Sequence, residues 1–489
     1  MNKSLRAILS LSWQSAVYGV GILGSQLVVY ILLPFLTRYV SREEYGAITV
    51  ITSLYAFLNI LTNAGIPSAT FRYYSGTVDE ADKRLTIAGS QFLFFIFAAI
   101  PAIGILIFPK LISTLLLGSD QYALVLQLVA WFLIVDSMNT FGAVILQAEA
   151  RALASSLHGI FLITVKTSLA LLFVTKFDMG VFGYWLGHLI GESLGFIVMV
   201  WLVWDKISFH VSRSRVFDLV SFGFPLIPTA LSLTFLRVAD RYIIGSLAGL
   251  DQVAVYDVGY KVGSIILLLI APFRTAWNPF AFSIAHKPEA PRIYRDVLTY
   301  LMAACSFLFL AVFAFRFQLI QLMVPASYQE AVRVVGWVAF SQLFFAAYMV
   351  LAVGLMITKQ THRLAWIAVS ASGANLLLNF VLIRPLGIVG AAVATFAGYI
   401  LLALLAYFAG KRSFNMRIDW PRIAKLALVT GVIGLIILTA EQLIASLWME
   451  TIIKILGLIS FPVLLLITQF LNPLQTRQLF EIVKGSTTD

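Results

Sequence analysis

The sequence predicts an all-α polytopic membrane protein of about fourteen transmembrane helices, arranged as two six-helix lobes related by a parallel pseudo-twofold repeat plus an extra C-terminal helix pair. Three observations predict it. Hydrophobic residues fill 60% of 489 positions and charged residues only 12%, roughly half the ~25% charge usual in soluble domains. Mean hydropathy is +0.93. A water-soluble fold cannot bury so much apolar surface, so the chain uses lipid as its solvent. Apolar runs of about 20 residues, the length that crosses a bilayer, recur along the chain. Finally, two hairpins half a chain apart repeat their glycine spacing.

Spans are expected near residues 12–36, 46–66, 85–108, 122–146, 155–175, 181–204, 217–236, 253–273, 298–322, 332–357, 364–383, 387–409, 422–445 and 451–471. The first follows Lys3 and Arg6, is too long for a signal-peptide core and has no small-residue cleavage site after it, so it reads as a retained helix. With the N-terminus inside, inward ends hold 22 of the 34 Lys+Arg and outward ends 11, with Lys166 alone at mid-span. That two-to-one bias obeys the positive-inside rule and places both termini in the cytoplasm. The inward segments then account for the whole formal charge of +11. The charge is therefore mainly an orientation signal, and nucleic acid is not an expected partner.

No connection exceeds about 25 residues, so no soluble domain is expected on either side. The expected units are residues 1–210 and 211–412 for the two lobes, and 413–489 for an additional transmembrane hairpin with a cytoplasmic tail. The single cysteine, Cys305, permits no internal disulfide and says nothing about redox compartment.

In the repeat, Gly180, Gly183 and Gly191 match Gly387, Gly390 and Gly398 at a constant offset of 207. A weaker match relates Arg38-Tyr39-Val40 to Arg241-Tyr242-Ile243 at an offset of 203. Glycine is common in membrane helices because small residues let helices pack closely. Two correspondences in the same order nevertheless favour duplication, and an even number of helices per copy makes both halves face the same way.

The run Leu36-Thr-Arg-Tyr-Val-Ser-Arg-Glu-Glu-Tyr-Gly46 resembles the opening signature of bacterial polysaccharide flippases of the multidrug/oligosaccharidyl-lipid/polysaccharide exporter superfamily. Phe222-Gly-Phe-Pro-Leu-Ile-Pro228 agrees with it, as do Ala239-Asp-Arg-Tyr-Ile-Ile-Gly245 and Asn375-Leu-Leu-Leu-Asn379 running on to Gly390-Ala-Ala392. The resemblance covers essentially the whole chain. It implies lobes forming an inverted V in a bacterial inner membrane. It also implies translocation of an undecaprenyl-pyrophosphate-linked oligosaccharide to the outer leaflet for O-antigen, capsule or exopolysaccharide assembly. The implied partners are that lipid-linked oligosaccharide, membrane lipids and other polysaccharide-assembly proteins.

Such a substrate carries a concentrated negative charge, for which arginine's planar fork is suited. Arg72 and Arg274 end corresponding spans and are proposed to flank the cytoplasmic entrance; the alternative is that both are anchors that snorkel to headgroups. Arg38 and Arg241 are the matching outer pair, read either as a charged outer gate or as an ion-pair cluster with Asp240. Asp257 and Lys261, four apart on one helical face, are read as a structural pair.

Charges at mid-bilayer usually face a cavity or a partner. Lys166 is a candidate deep phosphate contact, or else a buried pair with Asp136. His188 and Glu192, again four apart, together with Asp136 could couple transport to a proton or sodium gradient, or could simply hydrogen-bond and pack. Pro225 and Pro228 should bend the seventh span. Asn375 and Asn379 read as helix bridges.

No catalytic or metal-ligating set is visible. The five histidines are scattered, without HExxH or CxxC spacing. No cofactor is expected, and a polytopic glycan-modifying enzyme is the weakest reading. A multidrug/cation antiporter or a peptidoglycan-precursor flippase of the same superfamily is the closer alternative. An organic-cation exporter would favour an acidic, aromatic cavity, whereas the span-end charges here are mainly basic.

Overall fold

The computed structural model describes residue 24 and residues 27–63, 65–208, 210–414, 418–444 and 446–470. The start of the first expected span lies outside these residues, as do the basic residues of both termini. The described part is helical, with no strand. Among the described residues thirteen helices are long and apolar enough to cross a membrane, and a shorter apolar helix, α1 (Leu27–Tyr39), lies where the first expected span ends. Ends of the bundle are called inner and outer after the bias of the basic residues.

The first lobe continues with α2 (Arg42–Asn63) and α3 (Ile66–Ser75), which form one span, then α4 (Glu80–Ile107) and the short outer helix α5 (Pro109–Leu117). It closes with α6 (Ala123–Ala148), α7 (Ala152–Thr175) and α8 (Gly180–Val203). The seventh span is broken into α9 (Arg213–Gly223) and α10 (Ile227–Ala248) by a single tight turn over Phe224–Leu226. Pro225 lies in that turn and Pro228 in the first turn of α10. A proline there removes a backbone donor, so the continuous helix cannot pass.

The second lobe is completed by α11 (Leu250–Gly263) and α12 (Leu267–Ile284), which share one span, then α13 (Ala290–Ala314) and the short α14 (Arg316–Met323). After these come α15 (Val332–Ile357), α16 (Thr361–Leu386) and α17 (Ile388–Phe414). The appended hairpin is α18 (Trp420–Leu443) and α19 (Leu447–Ile467). It docks on α13, where Leu310 and Ala314 meet Leu426, Ile433 and Phe461 in a small core of their own.

The matched glycines perform matched tasks. Gly180 and Gly387, at the N-terminal ends of α8 and α17, both take a positive φ (50° and 56°), a backbone state that side chains disfavour. Gly183 and Gly390 each back onto the preceding helix, at Phe173 and Leu382. Gly191 rests against the Lys166 backbone, and Gly398 against Leu236 and Asn375.

The outer halves of the lobes carry their main contact, in which α2 packs against α10 and α11. The inner halves α3 and α12 are not packed together in this way; instead α9 crosses over and packs on α3 and α4. Arg215 of α9 pairs with Asp82 of α4. The bundle is thus a V joined at its outer end, with the broken seventh span strapped to the opposite lobe.

Candidate functional site

At the outer junction the chain places charges that lipid could not tolerate singly. Arg241 and Asp257 are nearly fully buried. The Arg241 guanidinium reaches Asp240 Oδ1 at 2.7 Å and Asp257 Oδ1 at 3.2 Å, and lies 4.1 Å from the Tyr260 ring centroid. Asp257 Oδ2 takes Lys261 Nζ at 2.8 Å and the Tyr45 hydroxyl at 3.1 Å. Lys261 Nζ in turn donates to the Tyr45 oxygen at 2.8 Å. Tyr256 and Thr395 donate to Asp240.

Two cations and two carboxylates therefore balance in one network, as a buried cluster must. Tyr45 of α2 is its link to the other lobe. One turn earlier, Arg42 Nη2 pairs with Asp251 Oδ2 at 3.1 Å. Close approach is made possible by Gly46, where a Cβ would lie 1.9 Å from the Leu250 carbonyl oxygen.

Beneath this network lies a cavity of about 230 Å³ lined by α1, α2, α8, α10 and α11, with Tyr45, Tyr184, Arg241, Asp257 and Lys261 as its polar wall. It is smaller than the roughly 300–1,000 Å³ of typical ligand sites. In this state it is the closed outer end of the crevice and has no room for an oligosaccharide headgroup.

Of the basic residues proposed from sequence, Arg241 alone lines this cavity. It lies about two turns inside the end of α10, whereas Arg38 is exposed at the end of α1, so they are not equivalent positions. Arg72 is exposed near the end of α3, its guanidinium 4.7 Å from the Phe222 ring centroid on α9. Arg274 is exposed on α12 but lies almost three turns before its end, so it does not end its span as Arg72 nearly does. Arg38, Arg72 and Arg274 have no ion pair among the described residues.

Within the first lobe two expected pairings are replaced. Lys166 pairs with Glu192 Oε2 at 3.2 Å instead of with Asp136. The cause is packing: Gly187 and Gly191 let α8 press onto α7, bringing Glu192 beside Lys166. Asn139 Nδ2 completes the carboxylate at 2.9 Å. Asp136 instead accepts from Asn59 Nδ2 at 2.9 Å. His188 does not bond Glu192, although the two are four apart. Its Nδ1 is 2.8 Å from the Tyr184 carbonyl, and its ring packs 4.3 Å from that of Tyr184. Asn379 bonds Asn375 along its own helix. Sequence reasoning missed Tyr45, Arg42 and Asp251; Tyr45 stands in the opening signature, but its partners lie in the other half of the chain.

A family model described as polysaccharide biosynthesis protein matches residues 13–285, and a MatE model matches residues 225–381. No curated protein matches the chain by sequence. Among solved structures, the lipid II flippase MurJ in an inward closed conformation is 16% identical with a TM-score of 0.73, covering 91% of this chain and 98% of its own. An inward-facing multidrug resistance MATE family transporter of the same exporter superfamily is 14% identical with a TM-score of 0.68, covering 80% of this chain and 94% of its own. An outward-facing conformation of such a transporter gives 15% identity and 0.59, covering 82% and 95%. These likenesses establish the fold of that superfamily. With more than half its length matched, the chain belongs to the polysaccharide biosynthesis protein family.

Proposed function

We propose that the protein is a flippase that carries an undecaprenyl-pyrophosphate-linked oligosaccharide from the cytoplasmic to the outer leaflet by alternating access. The supporting observation is the outer latch. Arg241 and Lys261 are held by Asp257 while the lobes are joined at Tyr45, and two exposed cations without an ion pair among the described residues stand on the inner halves, Arg72 near the end of α3 and Arg274 farther in on α12. A pyrophosphate entering past Arg72 and Arg274 meets two cations whose carboxylate it can replace. Drawing Lys261 off to the phosphate removes the bond it donates to the Tyr45 oxygen, loosening the outer joint as the charge arrives. Arg38, exposed at the outer end of α1, is the next cation on the way out.

Glu192, buried, and Asp136, half-buried, are the ionisable groups through which a proton or sodium gradient would couple, and Lys166, paired with Glu192, is the deep cation for a phosphate. His188, bonded to a backbone carbonyl, is a less direct participant. O-antigen, capsule or exopolysaccharide repeat units are the proposed cargo, handed to other assembly proteins of the inner membrane.

Deleting the gene and analysing surface glycan and lipid-linked intermediates tests the assignment. Loss of surface glycan with accumulation of the lipid-linked unit is expected. Normal glycan with drug hypersensitivity would overturn it. A second reading, a peptidoglycan-precursor flippase, is favoured by the appended hairpin and by the extent of the likeness to MurJ. In that case the deletion would stop cell-wall synthesis instead.

A further inference from the structure

A second cavity, of about 670 Å³, opens on the side of the second lobe, away from the crevice, where α13 and α15 meet the appended hairpin. Its walls are aromatic. Phe309 and Phe313 stack at 5.6 Å, Phe309 meets Phe340 at 5.0 Å, and Trp337 and Phe340 flank Phe396 at 5.6 and 5.1 Å. The edge of the Phe313 ring comes within 3.1 Å of where a Cβ on Gly336 would lie, so α15 offers backbone there instead of a side chain. The volume falls in the range of small-molecule and lipid-chain sites.

Two arginines stand at the mouth, and only one has its charge compensated. Arg316 is neutralised: both Nη atoms engage Glu441 of α18, which also holds Lys454 at 2.9 Å, and Lys454 is shared with Glu450 at 2.6 Å. That set balances. Arg333, one turn before Trp337 on the same face of α15, is exposed and has no ion pair among the described residues. The groove therefore presents an apolar slot topped by one uncommitted guanidinium at the end of the bundle.

We infer that this groove is a binding site for an anionic phospholipid, with an acyl chain against Phe309, Phe313 and Trp337 and the phosphodiester on Arg333. The charge count selects the ligand. A phosphodiester with a neutral alcohol carries one negative charge and matches one arginine. A pyrophosphate carries at least two and would leave charge uncompensated at the rim. A zwitterionic headgroup carries no net charge and would leave the guanidinium uncompensated, while Glu441 at the same mouth is already shared by Arg316 and Lys454. Basic pockets between membrane helices hold such headgroups elsewhere by the same chemistry. The lipid would bridge the second lobe and the hairpin, so their docking would depend on membrane composition.

Native mass spectrometry of the full chain released from detergent, with added dioleoyl phosphatidylglycerol, tests this. One retained phosphatidylglycerol is expected, together with a rise in melting temperature that equimolar phosphatidylethanolamine does not give. Arg333→Gln should lower phosphatidylglycerol occupancy at least tenfold and abolish the rise, while Arg333→Lys keeps most of both. Val389→Trp, which fills the slot from α17 without touching a charge, should displace the lipid as well. Equal retention in Arg333→Gln, or displacement of phosphatidylglycerol by undecaprenyl pyrophosphate at stoichiometric amounts, overturns the proposal.

Discussion

Tyr45 and Asp257 lie 212 residues apart in the chain, yet the tyrosine hydroxyl meets the carboxylate at 3.1 Å across the junction of the two lobes. The same hydroxyl accepts from Lys261 at 2.8 Å, so one phenol oxygen closes a three-membered polar contact at the outer end of the crevice. Tyr45→Phe keeps the ring and its edge contact with Tyr328, 6.2 Å between centroids, while deleting both bonds. Hydrogen bonds to charged groups contribute about 1.5–3 kcal/mol each. Asp257 and Lys261 keep each other when the phenol is lost, so the net cost is about one such bond, and the balance should shift toward an open outer end by roughly ten- to a hundredfold. Spin labels at Asp120 and Glu330, exposed on the two lobes, would report this as a larger long-distance population. An unchanged distance distribution would remove Tyr45 from the latch.

Gly46 gives an independent handle on the same joint. A methyl group there would sit 1.9 Å from the Leu250 carbonyl oxygen, a backbone atom that cannot swing aside. Gly46→Ala should therefore hold the outer ends apart without disturbing either lobe's own core. Transport should be lost, while expression and melting temperature stay near those of Gly104→Ala, where the added atom meets nothing within 4 Å. Normal transport by Gly46→Ala would mean that the lobes need not close at this point.

The span count, the repeat and the glycine spacing were legible because they are local: a hydrophobic run or a fixed spacing is readable from one stretch of chain. Pair partners were legible only when close in sequence, as with Arg241 beside Asp240 or residues four apart, and only where no neighbouring helix drew the carboxylate away. Asp257 and Lys261 do pair. His188 and Glu192 have the same spacing and do not, because α7 delivers Lys166 to Glu192 while His188 turns to the Tyr184 carbonyl. Tyr45 with Asp257 and Arg42 with Asp251 depend on how two lobes meet, which no periodicity encodes.

The Lys166–Glu192 pair makes a stability prediction with a definite sign. Removing one member of a buried pair costs about 3–5 kcal/mol, whereas replacing both by apolar groups is often neutral. Lys166→Met leaves the fully buried Glu192 carboxylate with Asn139 alone. It should lower the detergent melting temperature markedly, and adding Glu192→Leu should restore most of the loss. If the restored double variant transports at the wild-type rate, neither residue contacts substrate or couples an ion.

The hairpin's anchor predicts a different asymmetry. Glu441 serves two cations, Arg316 and Lys454, while Glu450 serves Lys454 alone. Glu441→Gln therefore leaves two positive charges against one carboxylate, with Lys454 fully buried. An uncompensated buried charge is worth several kcal/mol, more than the small apolar core between α13 and the hairpin can absorb without loosening. The connection before α18, near Asp419, should become more sensitive to limited proteolysis. Adding Arg316→Met to Glu441→Leu removes one charge of each sign and leaves the Lys454–Glu450 pair, at 2.6 Å, intact. That double variant should regain protease resistance although it lacks the bridge between lobe and hairpin. Resistance unchanged in Glu441→Gln would show that apolar packing alone holds the hairpin in place.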